Sequence, residues 1–332
     1  MSRARFAGRH ILVTGAAGFI GMHTARALLR DGANVTGVDS CDPYYDVRLK
    51  QARVETLKPL AGFTFERVDL AQASETARLF EEGRFDGVVH LAAQPGVRYS
   101  LIDPGAYLRN NIVAFGNVLE GCRHASIAHL VYASSSSVYG ANHTLPFSED
   151  QSVDHPQSLY AATKKANELM AYTYSHLYRL PATGLRFFTV YGPWGRPDQA
   201  PMIFTKAILA GEAIAVFNHG DMERDFTYVD DIVEGVLRTL ALPAQGSDDG
   251  GAPHVVFNIG NHEAVPLETF IATLEQLLGR KASRDYRPLQ PGEVRATHAS
   301  IDRLRAATGF APHTPLAVGL ARFVEWYRGY YC

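Results

Sequence analysis

The sequence predicts an α/β protein: a doubly wound parallel sheet in the first part of the chain and a smaller, interleaved α/β unit in the last. Three observations predict it. Short apolar runs alternate with amphipathic stretches of helix length through the first 185 residues, the pattern of a parallel sheet wrapped by helices. A turn carrying Gly15, Gly18 and Gly21 separates the first run from the first helical stretch. Beyond Arg186 the alternation breaks into loops rich in glycine and proline, YGPWGRPDQAP and QGSDDGGAP, with only short helical stretches between them.

Taken in order, the runs at 11–14, 35–39, 63–68, 88–92 and 130–133 read as strands, being short and rich in apolar residues. Helices are expected near 19–31, 72–82, 104–124 and 158–179, all of ordinary globular length. In the second part, helices are expected at 203–210 and 231–242. The run His254-Val255-Val256-Phe257-Asn258-Ile259 reads as a buried strand that returns to the first sheet. The units are therefore 1–185 and 186–332, with 254–260 crossing back.

Composition narrows the function classes. The 332 residues carry 32 Lys+Arg against 34 Asp+Glu and are 46% hydrophobic, as expected of a soluble globular protein able to bury a core in each unit. No basic run offers an electrostatic footprint for nucleic acid, and no stretch reaches the ~18 apolar residues of a membrane span. The stretch from Ile11 is interrupted by Gly15 and Gly18 and lacks a small-residue cleavage site, so it reads as a strand entering a turn rather than a signal peptide. Cys41, Cys122 and Cys332 are odd in number and far apart, which argues against a disulfide framework and for a cytoplasmic protein. The 13 histidines include no H-E-x-x-H pair and no Cys/His cluster, so no catalytic metal is expected. His23, on the first helix, reads as a packing or surface residue.

Chemistry concentrates at three places. In Thr14-Gly15-Ala16-Ala17-Gly18-Phe19-Ile20-Gly21 the glycines follow a strand directly and open a helix. There the backbone can turn sharply and approach a pyrophosphate, whose charge rests on the free N–H groups of the helix N-terminus. Asp39 ends the next strand, 18 residues after Gly21; its carboxylate suits ribose hydroxyls and repels a 2′-phosphate, which favours NAD over NADP. Tyr160 and Lys164 stand four apart in an expected helix and so project from one face. An ammonium beside a phenol stabilises the phenolate, which fits the pair for acid/base work. The third place is Ser134-Ser135-Ser136-Ser137 at the carboxyl end of a strand, the edge at which open sheets bind ligands.

The G-x-x-G-x-x-G spacing, the Tyr160/Lys164 pair and the serine run together resemble the extended short-chain dehydrogenase/reductase superfamily over essentially the whole chain. The resemblance implies a Rossmann fold holding NAD through Gly15, Ala17, Gly18, Phe19, Ile20, Gly21 and Asp39, with Tyr160 and Lys164 also touching it. It implies further cofactor contacts: Leu91, Ala92 and Ala93 on the nicotinamide side, Asp69 and Leu70 at the adenine edge, and Asn111 as strand support. Ser135 would hydrogen-bond the same sugar hydroxyl that Tyr160 deprotonates. The helices near 104–124 and 158–179 match those through which members pair as homodimers.

Within the superfamily, enzymes similar to the dTDP-glucose dehydratase carry Asp-Glu just before Val-Tyr-Gly, and UDP-glucuronate decarboxylases carry Glu there. This chain has Ser136 and Ser137. The segment from Arg186 to Asp198 resembles UDP-glucuronate 4-epimerases, as do Tyr44 to Lys50 and Ala92 to Ser100; UDP-glucose epimerases usually show Asn where Thr189 stands. The resemblance implies interconversion of UDP-glucuronate and UDP-galacturonate through a 4-keto sugar that is reduced again on its other face. In that reading Ser136, Ser137 and Thr189 hold the C6 carboxylate by neutral hydrogen bonds. Pro95 lies in a matching stretch, Arg224 fits the family's diphosphate arginine, and Phe217 borders the uracil or is a core aromatic. Arg98 and Arg196 face the substrate or neutralise nearby carboxylates, and the role of Arg295 is left open, since the family commonly shows Pro at the matching place. The alternatives are a UDP-glucose or UDP-N-acetylhexosamine 4-epimerase, a UDP-glucuronate decarboxylase, or a nucleotide-sensing protein on the same fold.

Overall fold

A computed structural model describes residues 4–246, 250–290 and 292–332. Residues 1–3, Ser247, Asp248 and Asp249 of the glycine-rich loop, and Pro291 lie outside the described residues. The chain runs β1 (His10–Thr14), α1 (Phe19–Arg30), β2 (Asn34–Asp39), α2 (Val47–Leu57), β3 (Phe63–Arg67), α3 (Ala73–Gly83) and β4 (Gly87–His90). It continues through α4 (Pro104–Tyr107), a π-helical turn (Leu108–Val113), α5 (Ala114–His124), β5 (Leu130–Ser135), α6 (Leu159–Tyr178) and β6 (Ala182–Phe187). There follow β7 (Thr189–Tyr191), α7 (Ala200–Ala210), β8 (Ala213–Phe217), β9 (Glu223–Tyr228), α8 (Val229–Leu240) and β10 (His254–Ile259). The last elements are β11 (Ala264–Pro266), α9 (Leu267–Leu278), β12 (Ser283–Arg287), α10 (Asp302–Thr308) and α11 (Leu316–Tyr331).

The main sheet has seven strands in the order β10-β6-β5-β4-β1-β2-β3, and every pairing in it is parallel. Because successive side chains point to opposite faces, Ile11 and Val13 of β1 enter one core while Leu12 enters the other. The first core is covered by α1 and α8, through residues such as Met22, Leu28, Ile232 and Val236. The second is covered by α3 and α5, through Leu79, Phe80, Phe115 and Val118. The strand order reverses between β1 and β4, which opens a crevice at the carboxyl ends of the strands. β10 joins the sheet beside β6, from His254 opposite Ala182 to Ile259 opposite Phe187. Two small sheets, β11-β9-β7 and β12-β8, complete the fold, and Thr189 and Val190 of β7 line the crevice.

Several elements depart from the expected bounds. β4 ends at His90, so Leu91 and Ala92 begin a loop, and β5 runs on to Ser135. The helix expected near 104–124 is broken by the π-helical turn around Asn111. The helix expected at 203–210 starts at Ala200 with Pro201 in its first turn, where a missing N–H costs nothing. α2 was not expected at all; Asp46 caps it by accepting from the Arg48 N–H at 3.0 Å, and its inward face includes Lys50 and Arg53. Among the described residues no helix is long and apolar enough to cross a membrane.

Candidate active site

The crevice is a cleft of ≈ 380 Å³. On one wall the glycine turn enters α1. Gly15 has φ +72°, and a Cβ there would lie 2.8 Å from the Ala92 nitrogen; at Gly21 it would lie 2.0 Å from the Gly15 carbonyl oxygen. No side chain caps α1, so its first N–H groups are left toward the cleft that Gly18, Phe19, Ile20 and Gly21 line. This bare backbone cradle fits a dinucleotide pyrophosphate. Asp39, Asp69, Leu70, Leu91, Ala92 and Ala93 line the same cleft. The loop after β4 is moored by Thr14, whose hydroxyl oxygen accepts from the Leu91 and Ala92 N–H groups at 3.1 Å each.

Two residues expected to contact the cofactor, Ala17 and Asn111, are buried and are not among those lining the cleft. Asn111 is buried and spends its side chain on protein partners: its oxygen accepts from the Gln94 N–H at 2.8 Å, and its amide donates to the Gln94 carbonyl and to Thr163. It braces the loop that touches the ligand. Ala17 points its carbonyl away from the cleft toward Arg53.

Tyr160, Lys164 and Ser135 all line the cleft. Ser158 caps α6 by accepting from the Ala161 N–H at 3.1 Å, which places Tyr160 in the first turn and Lys164 one turn on. Burial pushes the Tyr160 phenol above its ordinary value, and the groups that pull it back are the Ser135 hydroxyl and Arg196. Lys164 is not among those groups; its ammonium donates to the Ala133 carbonyl at 2.9 Å. Burial lowers Lys164 itself to about 8. Ser135 accepts from the Ser137 N–H at 3.2 Å, leaving its own proton available. Beneath it, Ser134 donates to Glu168 at 2.6 Å, and Glu168 is clasped by Arg186 through bonds of 2.8 and 2.9 Å.

The remaining serines and Thr189 differ from Ser134. Ser136, Ser137 and Thr189 line the cleft, and no side-chain hydrogen bond among the described residues engages their hydroxyls. Arg196 joins them on the cleft wall; it is forked onto Asp198 at 3.0 and 2.9 Å, and Tyr44 donates to the same carboxylate at 3.1 Å. Thus Arg196 both neutralises a carboxylate and faces the cleft. Pro95 lines the cleft as well; its carbonyl accepts from Tyr107 at 2.8 Å, and the Tyr107 ring packs edge-on to Tyr160.

Arg98, Phe217 and Arg224 gather into a second group next to the cleft. The Arg98 guanidinium lies 4.4 Å from the Phe217 ring centre and bonds Glu293 at 2.7 Å. Arg224 approaches the other oxygen of Glu293 at 3.8 Å. Glu293 was not expected in the site, and only its distance in space from Arg98, not in sequence, reveals it. Arg295 stands apart, exposed and paired with Asp221 at 2.8 Å; its carbonyl, not its side chain, meets Arg224. Among the described residues no group of His, Cys, Asp and Glu is arranged to hold a metal ion.

A crevice at a strand-order reversal, a glycine cradle and a Tyr/Lys/Ser cluster define a dinucleotide-dependent enzyme that works on a hydroxyl-bearing substrate. The family model of the NAD dependent epimerase/dehydratase family matches residues 11–260. Protein CapI of Staphylococcus aureus is 52% identical, over 97% of this chain and 99% of its own length. UDP-glucuronate 4-epimerase 2 of Arabidopsis thaliana is 49% identical, over 98% of this chain and 77% of its own. The crystal structure of UDP-glucuronic acid 4-epimerase from Bacillus cereus, in complex with UDP-glucuronic acid and NAD, superposes with a TM-score of 0.89 at 34% identity, covering 97% of this chain and all of that one. The chain belongs to the NAD-dependent epimerase/dehydratase family. Within it, the protein is an NAD-dependent nucleotide-sugar 4-epimerase.

Proposed function

We propose that the protein interconverts UDP-glucuronate and UDP-galacturonate. The observation that carries this reading is the set of three uncommitted hydroxyls, Ser136, Ser137 and Thr189, beside Tyr160 on the cleft wall with Arg196. They suit a carboxylate at C6, and no acid stands among them to assist elimination or loss of CO₂. The names of the Arabidopsis thaliana and Bacillus cereus relatives agree with it.

In this reading Tyr160 removes the proton of the C4 hydroxyl and later returns it, so the sugar passes through a 4-keto form. NAD, when bound through the glycine cradle and Asp39, supplies the oxidising and reducing equivalents. Ser135 orients the C4 oxygen through its hydroxyl, and Lys164 holds α6 to β5 while adding positive charge behind the phenol. The 4-keto uronate is a β-keto acid, and neutral donors that hold its carboxylate out of line with the ketone protect it from decarboxylation. Arg98 and Arg224 take the diphosphate, for which a forked donor is suited, and Phe217 flanks the base. Leu108, Val113, Leu169 and Tyr172 leave apolar surface exposed on the π-turn and α6, which suits pairing of two copies through these helices in a reducing, cytoplasmic setting.

The test is to incubate the purified protein with UDP-glucuronate and, in parallel, with UDP-glucose, following product mass and sugar-proton couplings by NMR. An isomer of equal mass from the uronate alone is the expected result. Conversion of the glucose compound, or loss of CO₂, would overturn the assignment.

A further inference from the structure

Arg53 is fully buried, yet among the described residues no carboxylate pairs with it. All five of its N–H donors are nonetheless engaged. Nε donates to the Trp194 carbonyl at 3.1 Å, and Nη2 donates to the Trp194 and Gly195 carbonyls at 2.7 and 3.1 Å. Nη1 donates to the Ala17 carbonyl at 3.1 Å and to the Tyr45 hydroxyl at 2.5 Å. One guanidinium from α2 therefore ties the glycine turn to the loop that carries Arg196. An unpaired buried charge is unfavourable unless its surroundings gain from it.

A second side chain does the same work one residue earlier. His23 of α1 is buried and lies 2.9 Å from the Pro193 carbonyl through Nε2, while Arg26 donates to its Nδ1 at 2.7 Å. Burial lowers its pKa to about 3, so the ring is neutral, with its proton on Nε2 facing Pro193. Three consecutive carbonyls, at 193, 194 and 195, are thus held from the dinucleotide half. Between them Trp194 adopts φ +64°, a left-handed conformation that a bulky residue takes only when its surroundings enforce it.

We propose that Arg53 is a positioning residue that couples the two halves of the site: it orients the Ala17 carbonyl behind the pyrophosphate cradle and sets the loop that aims Arg196 into the cleft. The coupling works through the fork geometry and the charge together. The fork fixes Arg196 relative to Tyr160, and the charge adds a positive field behind the glycine turn. The proposal rests on the reading of Arg196 as facing the substrate, but not on which hexuronate or hexose is turned over.

Two substitutions separate its parts. Arg53→Lys keeps the charge but has at most three donors and no fork; Arg53→Met removes both. With whichever nucleotide sugar the wild type converts, Arg53→Lys should lower kcat at least about tenfold with KM changed less than about threefold. It should also move the acidic limb of the kcat–pH profile upward, because Arg196 is one of the groups holding the Tyr160 phenol down. In the Arg196→Ala background the same substitution should cost little more, the non-additivity expected of residues acting through one another. Direct titration of cofactor-stripped protein with NAD should show binding weakened about tenfold in Arg53→Met and nearly retained in Arg53→Lys. Unchanged kcat and pH profile in Arg53→Lys, or full additivity with Arg196→Ala, would overturn the coupling. If Arg53→Met fails to fold, the Arg53→Lys arm decides alone. Activity of the wild type on UDP-glucose instead of the uronate would sink the proposed substrate while leaving every arm here readable.

Discussion

The Lys164 ammonium is fastened to the carbonyl of Ala133, 2.9 Å away on the neighbouring strand. Ala133 lies two residues before Ser135 on β5, so this bond sets the spacing between α6, which carries the proposed base Tyr160, and the strand that carries Ser135.

Tyr160→Phe removes the proton acceptor and little else. Turnover should fall by about 10²–10⁴-fold with KM for the nucleotide sugar nearly unchanged. Steady-state kinetics on the folded variant checks this; near-normal turnover would remove Tyr160 from the chemistry.

The Tyr160 phenol stands above its ordinary value through burial, with Ser135 and Arg196 pulling it down. Activity that needs phenolate rises with pH through this pKa. Because Ser135 favours the phenolate, Ser135→Ala should shift the acidic limb of the profile to higher pH and lower kcat about tenfold or more. A profile that stays in place would mean that Ser135 acts on the sugar alone.

If Thr189 holds a carboxylate away from the ketone, Thr189→Ala should release a decarboxylated product detectable by mass, at the expense of the epimer. An unchanged ratio of products counts against the hydroxyl set as a carboxylate site.

Glu293 already occupies Arg98 and approaches Arg224, the two cations assigned to the diphosphate. Glu293→Gln keeps the shape and removes a competing anion, so KM for the nucleotide sugar should fall by about threefold or more at low salt, with the gain shrinking as salt rises. A KM that rises instead would show Glu293 to be an organiser of the arginines.

Burial raises the Glu168 carboxyl, but the two bonds from Arg186 and that from Ser134 outweigh it and leave it lowered. Its contribution to stability is complete above the ordinary value of 4.5 and fades as pH falls through the lowered one. Glu168→Ala strands the Arg186 charge in the core and should cost about 3–5 kcal/mol, measurable by urea unfolding at neutral pH, with the difference from wild type shrinking on acidification.

The parts of the site that were legible in the sequence are those whose chemistry is local. Gly21 is dictated by backbone approach within one turn, Gly15 by the positive φ of that turn, and the Tyr160/Lys164 spacing is one helical turn. α2 was invisible because its inward face carries Lys50 and Arg53, which blunts the apolar period that announces a helix. The bracing partners of Asn111 were not legible, since they are 17 and 52 residues away. The meeting of Arg98 with Glu293 spans 195 residues, and no pattern along the chain encodes it. Tyr107, which donates to the Pro95 carbonyl and packs edge-on to Tyr160, reads in sequence as one more core aromatic.

The outermost strand of the large sheet, β10, is drawn from residues synthesised long after its neighbour β6. A ribosome must therefore deliver roughly seventy further residues, most of the substrate-facing region included, before the dinucleotide half can cover its last edge. The nascent half waits with a parallel edge unsatisfied, an arrangement prone to wrong partners. A cut after β6 would therefore separate that strand from the partner that pairs with it along its whole length.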